Sequence, residues 1–309
     1  MVLHLVLFVS TIDLRTMSMS PSGLKPSIPT LDELQTLLKD RKDVVYLKLT
    51  TAVKVAKLGA DIVVKYGISV KLSEGKIIQF LAEHTKIPVP KILALYTTKV
   101  PRINDPGSLL TINYIVMKFI PGPTLAALWP NLNTDQKGQI ANVLRSHCDE
   151  LRSIPAPNPL LLGNIEGGPL EDGLFWSSKG DPMITGPFES EEAFNAGVCR
   201  RLVEIADEHY AHVNEKFLRV LGTGHRTVLT HADLQRKNIM ADVDADGKIG
   251  KITIIDWEMS GWYPEYWEYG NAMLPDWVDD WVDYVEQFLD PYYVEIQIFL
   301  MIRRHVLWC

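Results

Sequence analysis

Two segments of this sequence are the strongest indication of its fold: His231-Ala-Asp-Leu-Gln-Arg-Lys-Asn238 and Ile254-Ile-Asp-Trp-Glu258. The first segment places an acid, Asp233, five residues before a neutral amide, Asn238. The second segment is an apolar strand that ends in Asp256. Between them, two apolar runs flank an Asp-Gly turn, which predicts a β-hairpin. The hairpin would return Asp256 to the side of Asn238, so two distant segments are predicted to build one polar site.

The composition is that of an ordinary globular protein. The chain has 309 residues, 47% of them hydrophobic and 22% charged, and a formal net charge of −7. A general binder of nucleic acid or of anionic membranes is usually basic, so this balance argues against both functions. The three cysteines, Cys148, Cys199 and Cys309, are sparse and show no paired spacing, which favours a reducing compartment. We therefore expect a cytoplasmic protein that binds neither nucleic acid nor membrane.

The first 119 residues are predicted to form a flexible lead-in, residues 1–29, and a small β-rich lobe, residues 30–119. The apolar run Val2–Val9 is shorter than the roughly 20 residues of a spanning helix and lacks the features of a secretory signal. Thr30 and Glu33 form a capping-box pattern that starts a helix. The patterns that follow predict strands at 44–47, 52–56 and 61–66, a helix at 72–85, strands at 91–96 and 113–119, and a loop over 101–108.

Residues 120–309 are predicted to form a larger, mainly helical lobe after a short Pro-Gly linker. Ser190 is a plausible helix cap because two acids follow it in the first turn. A Gly- and Pro-rich insertion over residues 156–188 is expected to lie over the acceptor side of the site, since long loops are usually functional or disordered. The remaining predictions are helices at 125–129, 134–152 and 190–220, strands at 239–243 and 249–255, and helical structure from 277 onward.

The polar site has the residue types that phosphoryl transfer requires. That reaction needs a carboxylate to orient the attacking hydroxyl, oxygen ligands for Mg²⁺, and positive charge on the phosphates. Asp233 is a candidate for the first role, because it can accept the hydroxyl proton. Asn238 and Asp256 are candidates for the second, because magnesium prefers oxygen ligands. The pattern therefore predicts an ATP- and Mg²⁺-dependent phosphotransferase.

These two segments resemble the aminoglycoside phosphotransferase and choline kinase-like superfamily. Further segments are similar to its fungal branch: Val63-Val-Lys-Tyr-Gly67, Ile87-Pro-Val-Pro90, Tyr114-Ile-Val-Met117 and Gly261-Trp-Tyr-Pro-Glu-Tyr-Trp-Glu268. The resemblance covers about residues 31–289 and implies a two-lobed, protein-kinase-like α+β fold. It implies phosphoryl transfer from ATP to the hydroxyl of a small molecule, with Asp233 as the catalytic aspartate and Asn238 and Asp256 as the magnesium ligands.

The resemblance also assigns residues to the nucleotide. Lys65 matches the strand lysine that contacts the α- and β-phosphates, although a solvated strand lysine is the alternative. Glu74 is its expected partner, with an exposed first-turn acid as an equal alternative and Lys76 at the next position. Met117 would lie against the adenine base, and the backbone of Lys118 and Ile120 would hydrogen-bond to it.

Three further residues of these segments have two interpretations each. Lys237 either approaches the γ-phosphate or is a solvated loop lysine. His231 is a member of the catalytic loop that we expect to hold the loop by hydrogen bonds rather than to transfer protons. Glu258 either contacts a second metal or orients the loop.

The acceptor is the least determined part of the prediction. The aromatic residues Trp257, Trp262, Tyr263, Tyr266, Trp267 and Trp277, interleaved with acids, would suit a cationic acceptor through cation–π contact. A core interpretation of these rings is favoured, because aromatic residues dominate cores. A protein kinase is disfavoured by the absence of Asp-Phe-Gly and Ala-Pro-Glu motifs, and a catalytically inactive kinase-like scaffold is the main alternative. We expect a monomer.

Overall fold

The computed structural model describes residues 28–40, 44–102, 105–206, 208–244, 247–274 and 279–307. Most of the predicted lead-in, residues 1–29, lies outside the described residues, as do Asp246 in the hairpin turn, Trp277 and Cys309. Among the described residues, no helix is long and apolar enough to cross a membrane. The predicted lobe boundary between residues 119 and 120 stays a prediction.

The N-terminal lobe is a five-stranded antiparallel sheet with two helices against it. The strand order is β1-β2-β3-β5-β4. The elements are α1 (Leu31–Asp40), β1 (Val44–Leu49), β2 (Lys54–Leu58), β3 (Ile62–Gly67), α2 (Leu72–His84), β4 (Ile92–Arg102) and β5 (Asp105–Lys118). Helix α1 starts as predicted, because Thr30 N donates to Glu33 Oε2 at 2.8 Å and Glu33 N donates to Thr30 Oγ1 at 3.4 Å. Its buried Leu34 and Leu38 pack on the sheet.

Helix α2 belongs to the contact between the lobes. Its buried Ile77, Ile78 and Leu81 pack in one cluster with residues of the C-terminal lobe, whereas α1 packs only within the N-terminal lobe. Gly75 permits this position, because a Cβ there would lie 2.4 Å from the Leu95 side chain in β4. The close approach places the first turn of α2 beside the site.

The C-terminal lobe is mainly helical and carries two small β-structures. The hairpin β7–β8 and the pair β6–β9 are both antiparallel. The elements are α3 (Leu125–Leu128), α4 (Thr134–Ser153), α5 (Pro182–Thr185), α6 (Glu191–Ile205), α7 (Glu208–Leu221), β6 (Thr227–Thr230), β7 (Ile239–Val243), β8 (Ile249–Ile254), β9 (Gly261–Pro264), α8 (Trp267–Met273), α9 (Trp281–Phe288) and α10 (Tyr293–Leu307). The α+β class with a β-rich lobe and a larger helical lobe is therefore confirmed.

Two local predictions were wrong, and three short elements were not predicted. The segment 101–108 was predicted as a loop, but β4 and β5 extend through its described residues as a long hairpin, since cross-strand pairing continues to the pair Arg102 and Asp105. The helix predicted over 190–220 is two helices, α6 and α7, because the chain leaves helical geometry at Ala206. The sequence patterns also did not reveal β6, β9 or α8, which are short and almost completely buried.

The insertion over residues 156–188 is packed into the C-terminal lobe. Leu162 and Phe188 form a β-bridge with each other, and Gly163 forms one with Trp262 in β9. Apolar side chains of the insertion join the cluster built by α6, α8 and α10. Two ion pairs join it to the start of α2: Lys76 with Glu166, and Lys71, the residue before α2, with Glu171. Whether it lies over the acceptor remains a prediction.

Candidate active site

The loop between β6 and β7 carries Asp233 and Asn238. A short 3₁₀ turn, Arg236–Asn238, closes the loop and points the Asn238 side chain back along it. Asn238 Nδ2 donates to Asp233 Oδ2 at 2.8 Å and to the Asp233 carbonyl at 2.9 Å. The Lys237 ammonium lies 3.1 Å from Asp233 Oδ2. The amide therefore fixes the Asp233 carboxylate, whose side chain remains 16% exposed.

His231 is buried at the start of this loop and uses both ring nitrogens for backbone contacts. Asp233 N–H donates to His231 Nδ1 at 3.1 Å, and the Nε2 atom lies 3.0 Å from the Ile255 carbonyl. The first contact makes Nδ1 an acceptor, so Nε2 carries the proton that bonds Ile255. His231 thus joins the loop to the strand that leads to Asp256, as expected of a residue that holds the loop by hydrogen bonds.

Asp256 follows β8 and stands beside Asn238. Ile255 N–H donates to the Asn238 carbonyl at 2.9 Å, which ties the two segments together as the hairpin pattern predicted. Asp256 has a left-handed backbone with φ 63° and ψ 57°, a conformation that non-glycine residues seldom adopt outside specific sites. The oxygens of Asn238 and Asp256 are the hard ligands that Mg²⁺ prefers, so the donor set fits this ion.

Lys65 of β3 is the centre of a cluster of carboxylates. Its Nζ atom lies 2.6 Å from Asp256 Oδ1, 2.6 Å from Glu258 Oε2 and 2.8 Å from Glu74 Oε2. Burial opposes the charged form of Lys65, but the three carboxylates outweigh burial and raise its pKa. The alternative of a solvated strand lysine is excluded, because only 6% of the side chain is exposed.

Glu74 reaches this cluster from the first turn of α2. Burial raises the pKa of the Glu74 carboxyl to about 7, against the attraction of Lys65. One of its oxygens lies within 4.8 Å of a carboxylate oxygen of Asp256 and of Glu258, and the Lys65 ammonium is bonded to all three carboxylates. Lys76 is the next position of α2 at which a partner of Lys65 could have stood, and its ammonium pairs with Glu166 in the insertion instead. The structure thus brings Glu74 to Lys65 and leaves Glu258 bonded to the same ammonium.

A cavity of about 370 Å³ lies between the lobes and opens onto this cluster. Lys65, Asp256 and the predicted adenine-side residues line the same cavity; these are Met117, Lys118 and Ile120. Lys118 N–H already donates to the Lys91 carbonyl at 2.9 Å, and Phe119 N–H to the Asp61 carbonyl at 2.7 Å. A base contact at Lys118 would therefore have to use its carbonyl oxygen.

The described aromatic residues after Asp256 form core and not a wall of the site. Trp257, Trp262, Tyr263, Tyr266 and Trp267 are each less than 5% exposed, which confirms the favoured core interpretation. Trp277 lies outside the described residues. These buried rings therefore give no support to a cationic acceptor.

The sequence patterns did not reveal one buried contact of the loop that carries Asp233. Glu268 in α8 accepts hydrogen bonds from the backbone of His231 and Ala232. The available signal was a single acid in the aromatic run Tyr266-Trp-Glu-Tyr269. An acid in such surroundings is seldom buried without a partner.

The profile of the family described as Phosphotransferase enzyme family (APH) matches residues 69–297, which are 229 of the 309 residues. The matched range includes Glu74, Asp233, Asn238 and Asp256, and it begins after Lys65. None of the curated proteins matches the chain.

Several solved structures share the fold. The streptomycin–ATP complex of APH(2'')-IIa has a TM-score of 0.54 and 12% identity, over 89% of this chain and 87% of that chain. The microcompartment-associated aminopropanol kinase has a TM-score of 0.53 and 16% identity, over 90% and 88%. The amicoumacin kinase hAmiN in complex with AMP-PNP, Ca²⁺ and Ami has a TM-score of 0.52 and 14% identity, over 89% and 84%. At these identities the likeness shows the fold alone, and it confirms the two-lobed, protein-kinase-like architecture.

Proposed function

Because the chain belongs to the phosphotransferase enzyme family, we propose that it transfers the γ-phosphate of ATP to a hydroxyl group of a small molecule with the help of Mg²⁺. The observation that carries the proposal is the joint position of Lys65 and Asp256. Both line the cavity between the lobes, and Asp256 is tied through Ile255 to the loop of Asp233 and Asn238. Phosphoryl transfer needs these groups around one space.

Asp233 is the proposed residue that orients the acceptor hydroxyl and accepts its proton. Its carboxylate is fixed by Asn238 Nδ2 at 2.8 Å and is partly open to solvent, so a substrate hydroxyl can reach it. Lys237, 3.1 Å from the same carboxylate, is the proposed second cation near the transferred phosphate. His231 is assigned to holding the loop, because both of its ring nitrogens are occupied by backbone groups.

Asn238 and Asp256 are the proposed magnesium ligands. The donor set supports this assignment, since it consists of one amide oxygen and one carboxylate on segments joined by a backbone hydrogen bond. Magnesium, when bound, would neutralise charge on the phosphates. Glu258 is a further carboxylate close to Asp256, and it is bonded to Lys65 at 2.6 Å; its proposed role is either to contact a second metal or to orient the loop.

Lys65 is the proposed ligand of the α- and β-phosphates, with Glu74 as the residue that orients it. The adenine would lie in the apolar end of the cavity, beside Met117, with the carbonyl of Lys118 and the amide of Ile120 as backbone partners. A lysine that exchanges carboxylate partners for phosphates keeps charge-assisted hydrogen bonds in both states.

The location and the oligomeric state of the protein are also part of the proposal. Cys148 and Cys199 are free thiols in the described part of the chain, which supports a reducing, cytoplasmic location. A monomer is proposed because both halves of the site come from one chain.

The first experiment is a thermal-shift titration with ATP and Mg²⁺. A ligand that binds only the native state raises its stability by about 2.7 kcal/mol at a hundredfold excess over its Kd, so the melting temperature should rise. GTP is titrated in parallel as the competing nucleotide. No shift at millimolar nucleotide would disprove the proposed nucleotide site.

The second experiment measures nucleotide consumption over a panel of acceptors. Amino alcohols and aminoglycosides are paired with neutral sugars and polyols, because the charge of the acceptor is undetermined. Turnover with any of these confirms transfer to a hydroxyl. Tight ATP binding without turnover on any acceptor would favour the catalytically inactive alternative.

A further inference from the structure

Lys48 of β1 lies on the face of the N-terminal sheet that borders the cavity between the lobes. In the register of the sheet, Lys48 stands opposite Val55 in β2, and Val55 stands opposite Lys65 in β3. Residues that pair directly across antiparallel strands point to the same face of the sheet. All three residues line the cavity, so the two lysines approach the same space. Their backbones are two strand spacings apart, about 10 Å.

A β-bulge puts the lysine in this position. The pairing of β1 with β2 is regular up to Tyr46 and Ala56 and resumes at Lys48 and Val55, so the register shifts across Leu47. In a regular strand, Leu47 would stand opposite Val55, and Lys48 would point to the other face. Bulges bend a strand and redirect its side chains, and they are frequent beside active sites. The shift therefore turns toward the cavity a cation that a regular strand would have turned away.

The row of Lys48 belongs to the phosphate end of the cavity. Lys65, in the same row, contacts Asp256, the proposed metal ligand. The next row on this face contains Val63 and Met117, which pair with each other and line the proposed adenine end. The two rows are two residues apart along β3, which is about 7 Å. Lys48 is therefore placed beside the phosphates of a bound nucleotide and not beside its base.

The turn after β1 contains no glycine, and its backbone is partly occupied. The turn consists of Thr50, Thr51 and Ala52. Thr50 N–H donates to the Val53 carbonyl at 3.0 Å, and Val53 N–H donates to Thr50 Oγ1 at 2.9 Å. Protein kinases cover the phosphates of ATP with a glycine-rich loop. In this chain, the Lys48 side chain is better placed than the turn to contact the phosphates.

Lys48 also has its charge available for a ligand. Three carboxylates surround the Lys65 ammonium, whereas Lys48 is exposed and takes part in none of the ion pairs among the described residues. Burial opposes the charged form of Asp256, Lys65 lowers the pKa of Asp256 most, and Lys48 is among the further groups that lower it. The charge of Lys48 therefore acts at the proposed metal ligand without forming an ion pair there.

We propose that Lys48 is a second phosphate-binding residue on the sheet: its ammonium binds the polyphosphate of the nucleotide together with Lys65. A lysine suits this role, because its ammonium is a compact charge on a long flexible stem. The inference rests on the proposed function only for the presence of a nucleotide in this cavity. It does not depend on transfer to an acceptor.

The test compares Lys48→Met with a matched variant of the same sheet. Methionine keeps an unbranched side chain and removes the charge. Lys54→Met is the control, because Lys54 stands opposite Tyr66 in β3, one residue from the row of Lys48 and Lys65, and so points to the other face. Its ammonium lies 5.6 Å from the centre of the Tyr66 ring. The affinities of AMP, ADP and ATP, each with Mg²⁺, are measured by isothermal titration calorimetry at two salt concentrations.

We expect the loss of affinity to grow with the number of phosphates. Lys48→Met should bind ATP roughly tenfold more weakly than the wild type, the effect expected of one charge-assisted hydrogen bond. The loss should be smaller for ADP and smallest for AMP, whereas Lys54→Met should bind all three like the wild type. Lys48→Arg keeps the charge and should retain most of the affinity for ATP. Salt should weaken ATP binding less in Lys48→Met than in the wild type, because an exposed charge is screened.

Three results would overturn the inference: unchanged ATP affinity in Lys48→Met, an equal loss for AMP and ATP, or an equal loss in Lys54→Met. The melting temperature of Lys48→Met without nucleotide should match that of the wild type, because the side chain is exposed. If the wild type binds ATP but transfers no phosphate, the proposed function fails, and the same affinities still decide the role of Lys48. If the wild type binds no nucleotide, the proposed function and this inference fail together.

Discussion

The two halves of the candidate site are held in opposite ways. Lys65 is held by charges that come from several elements: Glu74 from α2, and Asp256 and Glu258 from the segment after β8. The loop of Asp233 is held within one lobe, by hydrogen bonds from Asn238 and between backbone groups and side chains, by the neighbouring Lys237 and by the buried Glu268.

This difference indicates which half of the site changes its geometry when the two lobes move and which half keeps it. Charge pairs between elements depend on the relative position of the two lobes, since electrostatic energy varies with every distance in the cluster. The loop keeps its geometry when the lobes shift, because its partners belong to the same core. We therefore expect nucleotide binding to depend on lobe closure. We expect the orientation of Asp233 to be the same with and without substrate.

We expect the largest effect on activity in the loop of Asp233, which keeps its geometry when the lobes move. Asp233→Asn removes the proton acceptor but preserves shape, so kcat should fall by roughly 10²- to 10⁴-fold, the usual contribution of a general base. Binding of ATP, measured by thermal shift, should be retained. Asp242→Asn is the control, because Asp242 is an exposed acid on the hairpin that follows the loop. Full turnover of Asp233→Asn would remove Asp233 from the proposed role.

Asp256→Asn tests the residue that belongs to both halves. Asparagine tolerates the left-handed backbone of this position, so the fold should persist while the charged ligand is lost. We expect activity to fall by on the order of a hundredfold or more and the Mg²⁺ requirement to rise, as loss of charge stabilisation predicts. The measurement is a magnesium titration of the initial rate.

Glu258→Gln is the paired control for that titration. Glu258 contacts the same lysine but is 37% exposed. We expect a smaller effect than that of Asp256→Asn. An equal shift in the Mg²⁺ requirement would assign Glu258 to the metal and contradict the two-ligand arrangement.

Lys65→Met tests the half of the site that is held by charges, and its effect on the free energy of unfolding should depend on pH. Burial gives folded Glu74 a pKa of about 7 against an ordinary value of 4.5, so it binds its proton more tightly in the folded state. Its contribution to stability therefore falls as the pH rises from about 4.5 to about 7. Removing Lys65 raises this pKa further and enlarges the loss. In the wild type, the lowered pKa of Asp256 and the raised pKa of Lys65 add no dependence between pH 5 and pH 8. Removing Lys65 takes away the main group that lowers the pKa of Asp256 while its burial remains, which adds to the destabilisation at pH 8.

The expected result is a variant that is destabilised more at pH 8 than at pH 5. Breaking a buried ion pair costs about 3 kcal/mol when the remaining charge has no partner, and protonation of Glu74 relieves part of that cost. This difference in destabilisation is measured by thermal unfolding of both proteins at pH 5 and pH 8, without nucleotide or metal. Lys99→Met, at an exposed lysine of β4, should show no such dependence. A pH-independent loss in Lys65→Met would contradict the raised pKa of the buried Glu74 carboxyl.

The smallest effect is expected at the ion pairs between the insertion and α2. Lys76 and Glu166 are both nearly half exposed, and exposed pairs contribute less than about 1 kcal/mol. Lys76→Met should therefore leave stability almost unchanged and affect the KM for ATP less than Lys65→Met does. Steady-state kinetics at low and high salt measure this. A large change in kcat would show that the insertion also controls the loop of Asp233.

Much of the fold follows from local patterns. The capping box at Thr30, the cap at Ser190 and the hairpin between Asn238 and Asp256 were each predicted from neighbouring residues, and the structure contains all three. The long β4–β5 hairpin and the break between α6 and α7 were missed. In the hairpin, cross-strand pairing up to Arg102 and Asp105 overrode the local Pro and Gly signals. The break at Ala206 has no signal in the helical periodicity of the sequence.

The candidate site divides in the same way. The residues of the loop and the hairpin could be identified from local sequence, because turn chemistry and strand alternation act between near neighbours. The contact of Lys65 with Asp256, 191 residues later, and the hydrogen bond from His231 to Glu268, 37 residues later, are visible only in the folded structure. Those contacts depend on how buried surfaces fit together, and burial is a property of the whole fold. The same burial gives Glu74 its raised pKa and turns the aromatic run after Asp256 into core.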